Sequence, residues 1–435
     1  MDDVLTGESD INKAKNLVTE LIDLTERGGM HIRQYASNEP SLISLLTKNE
    51  NDSHHCLNLG DTTKTLGVYW NPKSDLITYS VSMSKHNLPI IKRTILSLTV
   101  QLFDPLGLLG PVILIAKILL QTLWLLKIDW DESVPQHIHT AWCTYRDELP
   151  LVQNVKIDRK IVANDYRALQ LHGFCDASEK AYGACIYLRS TNELGENCTQ
   201  LICSKSRVSP LKKLSLPRLE LCSALLLANL LEPTVRALRR LNIEKTILWS
   251  DSTITIHWIR SSPHTLKTFE SNRLNKIQEL TINCEWRHIR TEHNPADLIS
   301  RGLSPKEILN NSLWFNGPVW INEKEDNWPF SIVKTDELLK TQETFVNLAY
   351  NKTNERNRET RVNDLENTLF KEKGSLIEIL RIIAYCQRFK DIKVRKLEST
   401  NMFVPNDLNK TMICAINIIK VCKLMLSPQT NWIGL

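Results

Sequence analysis

The eleven cysteines of this 435-residue chain include no C-x-x-C pair. That argues against a zinc ribbon and against a secreted disulfide framework, and leaves reduced or buried thiols in an intracellular setting. His54-His55-Cys56 offers ligand-type residues, but no second pair at zinc spacing accompanies it, so it reads as loop. No Asp-Thr/Ser-Gly triplet occurs: Asp61-Thr62-Thr63 and Asp251-Ser252-Thr253 both lack the glycine. An aspartic peptidase needs a carboxylate dyad on such turns, so that class is disfavoured. The opening residues lack a secretory leader pattern, and sequons such as Asn197-Cys198-Thr199 therefore carry no information. No internal repeat is present. One apolar run, residues 106–127, is long enough to raise a membrane span. Pro111 suits a helix start, however, and Lys117 and Gln121, four apart, draw a narrow polar stripe, so the run reads as a buried amphipathic helix and no membrane partner is expected.

What is present is ordinary for a globular chain of about two to four domains: 42% apolar and 24% charged residues. The net charge of +5 is concentrated, because residues 165–305 hold 19 basic against 14 acidic side chains. A basic surface there suits an anionic partner such as nucleic acid.

Residues 1–50 read as mostly helical, closed by Gly28-Gly29, and residues 64–83 as a hairpin around Asn-Pro-Lys-Ser-Asp. Residues 88–150 read as helical. Three strand candidates follow over 166–207. Then come a long helix from Leu216, a strand at "KTILWSD", two helices, a strand at "NCEWRHIR" and a short helix at "HNPADLISRG". This order describes an α/β domain of about 140 residues. Residues 307–360 read as a polar, loop-like linker and 375–425 as helical. Trp249, Trp258 and Trp286 read as core.

Four acids stand out inside the α/β domain. Asp176 ends the first strand, Glu220 lies in the first turns of the long helix, Asp251 ends an almost wholly apolar strand, and Asp297 falls in the first turn of the last helix. Singly, each has a structural role open to it: Asp176 in a turn, Asp251 or Asp297 at a helix N-terminus, Glu220 on a solvated helix face. Together they point elsewhere. If the strands of Asp176 and Asp251 are adjacent and parallel, the four carboxylates converge at one sheet edge, and such a set repels itself unless cations bind. Hard divalent ions fit oxygen ligands, Mg2+ above all beside phosphates, and a pair of them can clamp a phosphodiester.

The order Asp, Glu, Asp, Asp on these elements resembles the ribonuclease H fold. "HGFCDASEKAYGACIYLR", "SKSRVSPLKKLSLPRLELCSALLLA", "LWSDSTITIHWI", "TFESNRL" and "HNPADLISRGL" closely resemble the ribonuclease H region of BEL/Pao-type retrotransposon polyproteins. The likeness extends from "LTVQLFDPLGLLGPVILIAKILLQTLW" to "WFNGPVW". The resemblance implies a five-stranded mixed sheet with flanking helices. It also implies a metal-binding catalytic set of Asp176, Glu220, Asp251 and Asp297, using two Mg2+ ions or Mn2+ in their place. Many ribonucleases H carry a histidine before the last carboxylate; His288 is the preferred candidate over His293. Lys205, Arg207, Lys212, Lys213, Arg218, Asn272 and Arg273 form an expected track for a phosphate backbone.

The start "MDDVLTG" resembles the tail of a reverse transcriptase hallmark, with Asp2 and Asp3 as vestigial ligands. The implied layout is a truncated palm end over 1–85, helical thumb and connection over 86–160, a ribonuclease H-like domain over 165–306, a linker over 307–360 and a helical pre-integrase segment over 361–435. Polymerase activity is expected to be absent. The leading functional reading is cation-dependent hydrolysis of the RNA strand of an RNA–DNA hybrid, with other polyprotein pieces as further partners. The alternatives are an inert nucleic-acid-binding remnant and, less favoured, the peptidase with which such regions have been labelled.

Overall fold

The computed structural model describes residues 5–8, 10–30, 32, 34–46, 55–56, 63–65, 68–81, 88–329 and 431–434. The chain divides into two units, residues 1–333 with 420–435 and residues 334–419, and the second lies wholly outside the described residues. Asp2, Asp3 and the expected C-terminal helices of 375–425 also lie outside them.

A sheet of five strands organises the molecule: β1 (Tyr166–Ala177), β2 (Ala181–Asn192), β3 (Asn197–Val208), β4 (Lys245–Ser250) and β5 (Glu285–His288). The spatial order is β3-β2-β1-β4-β5. The first three strands form an antiparallel meander, while β4 runs parallel to both β1 and β5. This is the expected five-stranded mixed sheet. Apart from Asn192, β2 is buried along its whole length, because helices or loops cover both of its faces.

Among the described residues, three α-helices lie between residue 88 and the first strand of the sheet: α1 (Lys92–Gln101), α2 (Gly110–Leu125) and α3 (Gln136–Glu148). The apolar run of 106–127 supplies α2, with Pro111 at its start as expected. Its polar stripe meets the sheet and not solvent: Lys117 Nζ lies 3.4 Å from Ser206 Oγ, and Gln121 Nε2 donates to the Ser209 carbonyl at 2.6 Å. Among the described residues no helix is long and apolar enough to cross a membrane. One hydrophobic cluster runs without a break from Val68 in the hairpin through α2, the sheet and its helices to Trp328.

The long helix α4 (Leu216–Ala237) begins at Pro217 and buries Leu219, Leu221, Ala224, Leu227 and Leu231 against the sheet. Beyond it lie α5 (Thr253–Arg260), α6 (Thr268–Leu280) and the short α7 (Ala296–Arg301). Helix α7 packs closely because two glycines make room for Ile299. A Cβ on Gly183 of β2 would stand 2.5 Å from Ile299 Cγ2, and one on Gly110 of α2 would stand 2.7 Å from Ile299 Cδ1.

The hairpin expected near residues 64–83 is present as Val68–Asn71 paired with Leu76–Thr78. Arg159, 1% exposed, fastens it to the rest through Asp75, with Nε and Nη2 donating at 2.6 and 2.7 Å. Residues 307–329, read from the sequence as the start of a polar linker, instead cover the far face of the sheet. Trp314, Trp320, Ile321 and Trp328 are buried in the main cluster. Trp314 Nε1 donates to the Leu108 carbonyl at 2.7 Å, and the Tyr187 hydroxyl donates to the Trp314 carbonyl at 2.7 Å. Of the tryptophans expected in the core, Trp249 and Trp286 are buried and Trp258 is partly so.

Candidate active site

The pairing of β1 with β4 places the first two acids. Cys175 faces Ser250 across the parallel ladder, so Asp176 and Asp251 leave the same end of the sheet as neighbours. Glu220 enters from α4, whose first turns cross that end. Oxygens of Asp176, Glu220 and Asp251 all lie within 4.8 Å of one another. Asp176 is 3% and Glu220 8% exposed.

The supporting contacts are specific. Ser300 Oγ on α7 donates to Asp176 Oδ2. Thr291 Oγ1 donates to Asp251 Oδ2 at 2.7 Å, and His288 Nε2 lies 3.1 Å from the Asp251 carbonyl. Asn294 Nδ2 donates to the Cys175 carbonyl at 3.1 Å, tying the loop before α7 to the end of β1. Among the described residues, Glu220 Oε2 and Asp251 Oδ1 are buried without a hydrogen-bond partner.

Crowding of carboxylates out of water has the expected electrostatic result. Burial first, then the neighbouring Asp176 and Asp251, raises Glu220 to about 9. Burial, then Asp251, raises Asp176 to about 7 against the opposing hydrogen bond from Ser300. Asp297 adds to both shifts, so its charge is felt at the group, although its own oxygens are not among those within 4.8 Å. It is ion-paired to Arg301, one turn along α7. Buried oxygens with open lone pairs, set in a group that holds protons to offset its own repulsion, form a donor set that fits a hard divalent cation.

Of the residues of the expected basic track, Arg207 is exposed, while Arg218 and Arg273 both lie against the Phe269 ring. Arg273 stacks over the Phe269 ring at 3.5 Å, and Arg218 pairs with Glu270 at 2.7 Å. Lys205, Lys212, Lys213 and Asn272 are exposed. His293 sits in the turn Thr291–His293 and is half-buried. Sequence reasoning missed Ser300, Thr291 and Arg301. Only Arg301 left a trace in the sequence, as a base four residues after Asp297 on a helix.

Residues 91–252 match the family model described as Pao retrotransposon-like RNaseH-like domain. Among solved structures the chain is similar to LC11-RNase H1, isolated from compost by a metagenomic approach and solved in complex with RNA/DNA hybrid. That likeness has 15% identity over 30% of this chain and 92% of that one, with a TM-score of 0.23. It is also similar to the N-terminal RNase H domain of rv2228c from Mycobacterium tuberculosis, solved as a fusion with maltose binding protein (7% identity, 31% and 94% covered, TM-score 0.21). A third likeness is to RNase H1 from the halophilic archaeon Halobacterium salinarum NRC-1 (10% identity, 30% and 91% covered, TM-score 0.19). No curated protein matches the chain. The mixed sheet in the order β3-β2-β1-β4-β5, flanked by helices, is the five-stranded arrangement that the sequence resemblance implied. The stretch that is similar to this Pao retrotransposon-like RNaseH-like domain, residues 91–252, contains Asp176, Glu220 and Asp251.

Proposed function

We propose that this protein is a nuclease of ribonuclease H type that cuts the RNA strand of an RNA–DNA hybrid with the help of Mg2+. The observation that carries the reading is the group of three mostly buried carboxylates within 4.8 Å, two of whose oxygens have no partner among the described residues. Bound at this group, a pair of divalent cations would supply an activated water and neutralise charge on the leaving 3′ oxygen, with Mn2+ able to stand in for Mg2+.

The chain's own residues do the rest. Asp176, Glu220 and Asp251 hold the cations, with Asp297 as the fourth ligand. Ser300 and Thr291 orient two of these carboxylates. His288, through the main-chain carbonyl of Asp251, braces the end of β4 beside the reacting phosphate. Arg207, Arg218 and Arg273, with exposed Lys205, Lys212, Lys213 and Asn272, give the duplex backbone its anchoring points beside α4.

The test is cleavage of an end-labelled hybrid by the full chain. RNA fragments should appear with Mg2+ or Mn2+ and vanish in chelator. Asp251→Asn should slow cleavage by at least about a hundredfold while hybrid binding stays within about twofold. Retention of full cleavage in Asp251→Asn would overturn the site assignment. Hybrid binding with no cation-dependent cleavage by the native chain would leave only a nucleic-acid-binding role.

A further inference from the structure

We propose that Arg301 is a positioning residue: its ion pair holds Asp297 apart from the other three carboxylates, and a second divalent cation that draws on Asp297 has to displace it. This rests on the nuclease reading above. Four acids were expected to converge, and the structure brings only three to within 4.8 Å. The fourth is engaged elsewhere, by a guanidinium whose Nε donates to Asp297 Oδ1. The pair lies one turn apart on α7, with Arg301 63% and Asp297 23% exposed at the side chain.

Helix α7 cannot slide to deliver Asp297, because Ile299 is wedged between Gly110 and Gly183. Only side-chain rotation can bring the carboxylate in. Asp297 is tied to the group through Ser300, whose Oγ donates both to Asp176 Oδ2 and to the Asp297 main-chain carbonyl. Arg301 in turn feels Asp176 and Asp251 as well as Asp297. The guanidinium therefore stands as a built-in positive charge beside an otherwise anionic cluster. A first cation has a ready place at Asp176, Glu220 and Asp251 and breaks no ion pair. A second one, drawing on Asp297, competes with Arg301. The exposed arginine can then swing into solvent.

The test is titration of the full chain with Mn2+, reading free ion by electron paramagnetic resonance, alongside the hybrid cleavage assay. The native protein should bind in two steps. Arg301→Gln should tighten the second step about two- to fivefold, the range of a partly exposed ion pair, and leave the first unchanged. Arg301→Lys should bind like the native protein, and Asp297→Asn should lose the second step alone. Tryptophan emission in chelator checks that each variant is folded. A native chain that binds both ions and cuts hybrid, with an Arg301→Gln titration superimposable on its own, overturns the role of Arg301 and leaves the nuclease reading standing. A second step that survives Asp297→Asn does the same. A native chain that neither binds Mn2+ nor cuts hybrid overturns the nuclease reading, and the role of Arg301 with it.

Discussion

Glu220→Gln should make the cation-free protein more stable at alkaline pH while destroying its ability to gain stability from Mg2+. The folded state raises Glu220 from 4.5 to about 9, through burial first and then Asp176 and Asp251. A carboxyl raised in the folded state keeps its proton there at neutral pH, whereas the unfolded chain has already lost it. Its contribution is complete below the unfolded value of about 4.5 and is lost as pH climbs towards about 9. Each pH unit in that window costs about 1.36 kcal/mol, so between about pH 5 and about pH 8 an isolated group would lose roughly 4 kcal/mol. Sharing of repulsion with Asp176, itself raised to about 7, lowers the figure attributable to Glu220 alone. A difference of about 2–4 kcal/mol is expected. Glutamine keeps the shape and drops the titration. Urea unfolding in chelator, followed by emission of the buried Trp249, Trp314 and Trp328, should show native stability falling across this range relative to the variant. At about pH 8, saturating Mg2+ should raise native stability by about 2–3 kcal/mol at a hundredfold excess over its dissociation constant, and the variant by far less. Native and variant curves that run parallel from about pH 5 to about pH 8 would refute the reasoning.

Three further outcomes follow from the packing and the charge distribution. Gly183→Ala should destabilise the protein by about 1–3 kcal/mol, because its Cβ would meet Ile299 at 2.5 Å, and thermal melting reads it directly. Trp314→Ala should cost about 3–5 kcal/mol by urea unfolding, as expected of a fully buried aromatic, whereas a residue in a mere linker would cost almost nothing. Arg273→Ala and Lys212→Ala should each weaken hybrid binding without sequence preference and reduce the slope of log affinity against log salt by about one, measured by fluorescence anisotropy.

The ends of the two parallel strands were legible because apolar runs broken by a single acid are rare in a sheet without a reason, and Asp176 and Asp251 both break one. Glu220 and Asp297 followed from helix starts marked by Pro217 and Pro295. The family likeness supplied a five-stranded mixed sheet with flanking helices, but the strand order was not legible, because periodicity alone does not fix it. The cover of the sheet by Trp314, Trp320 and Trp328 was not legible. Those residues sit in or beside a five-residue helix and short 3-10 turns, and no helical or strand period relates them. The docking side of α2 was half legible: Lys117 and Gln121 marked a polar stripe, but not that Ser206 and Ser209 would receive it. Ser300 and Thr291 escaped notice because a hydroxyl that orients a carboxylate leaves no spacing rule behind.

The wedge of Ile299 between Gly110 and Gly183 also bears on how this polypeptide can be divided. A gene cut just before the sheet, near residue 160, would remove the helix that walls one side of α7. It would strip apolar cover from the very element that carries the last acid. Such a fragment would expose a greasy flank and clump sooner than it would cut. Whatever shuffling this stretch has undergone, its helical preface and its sheet have to travel together.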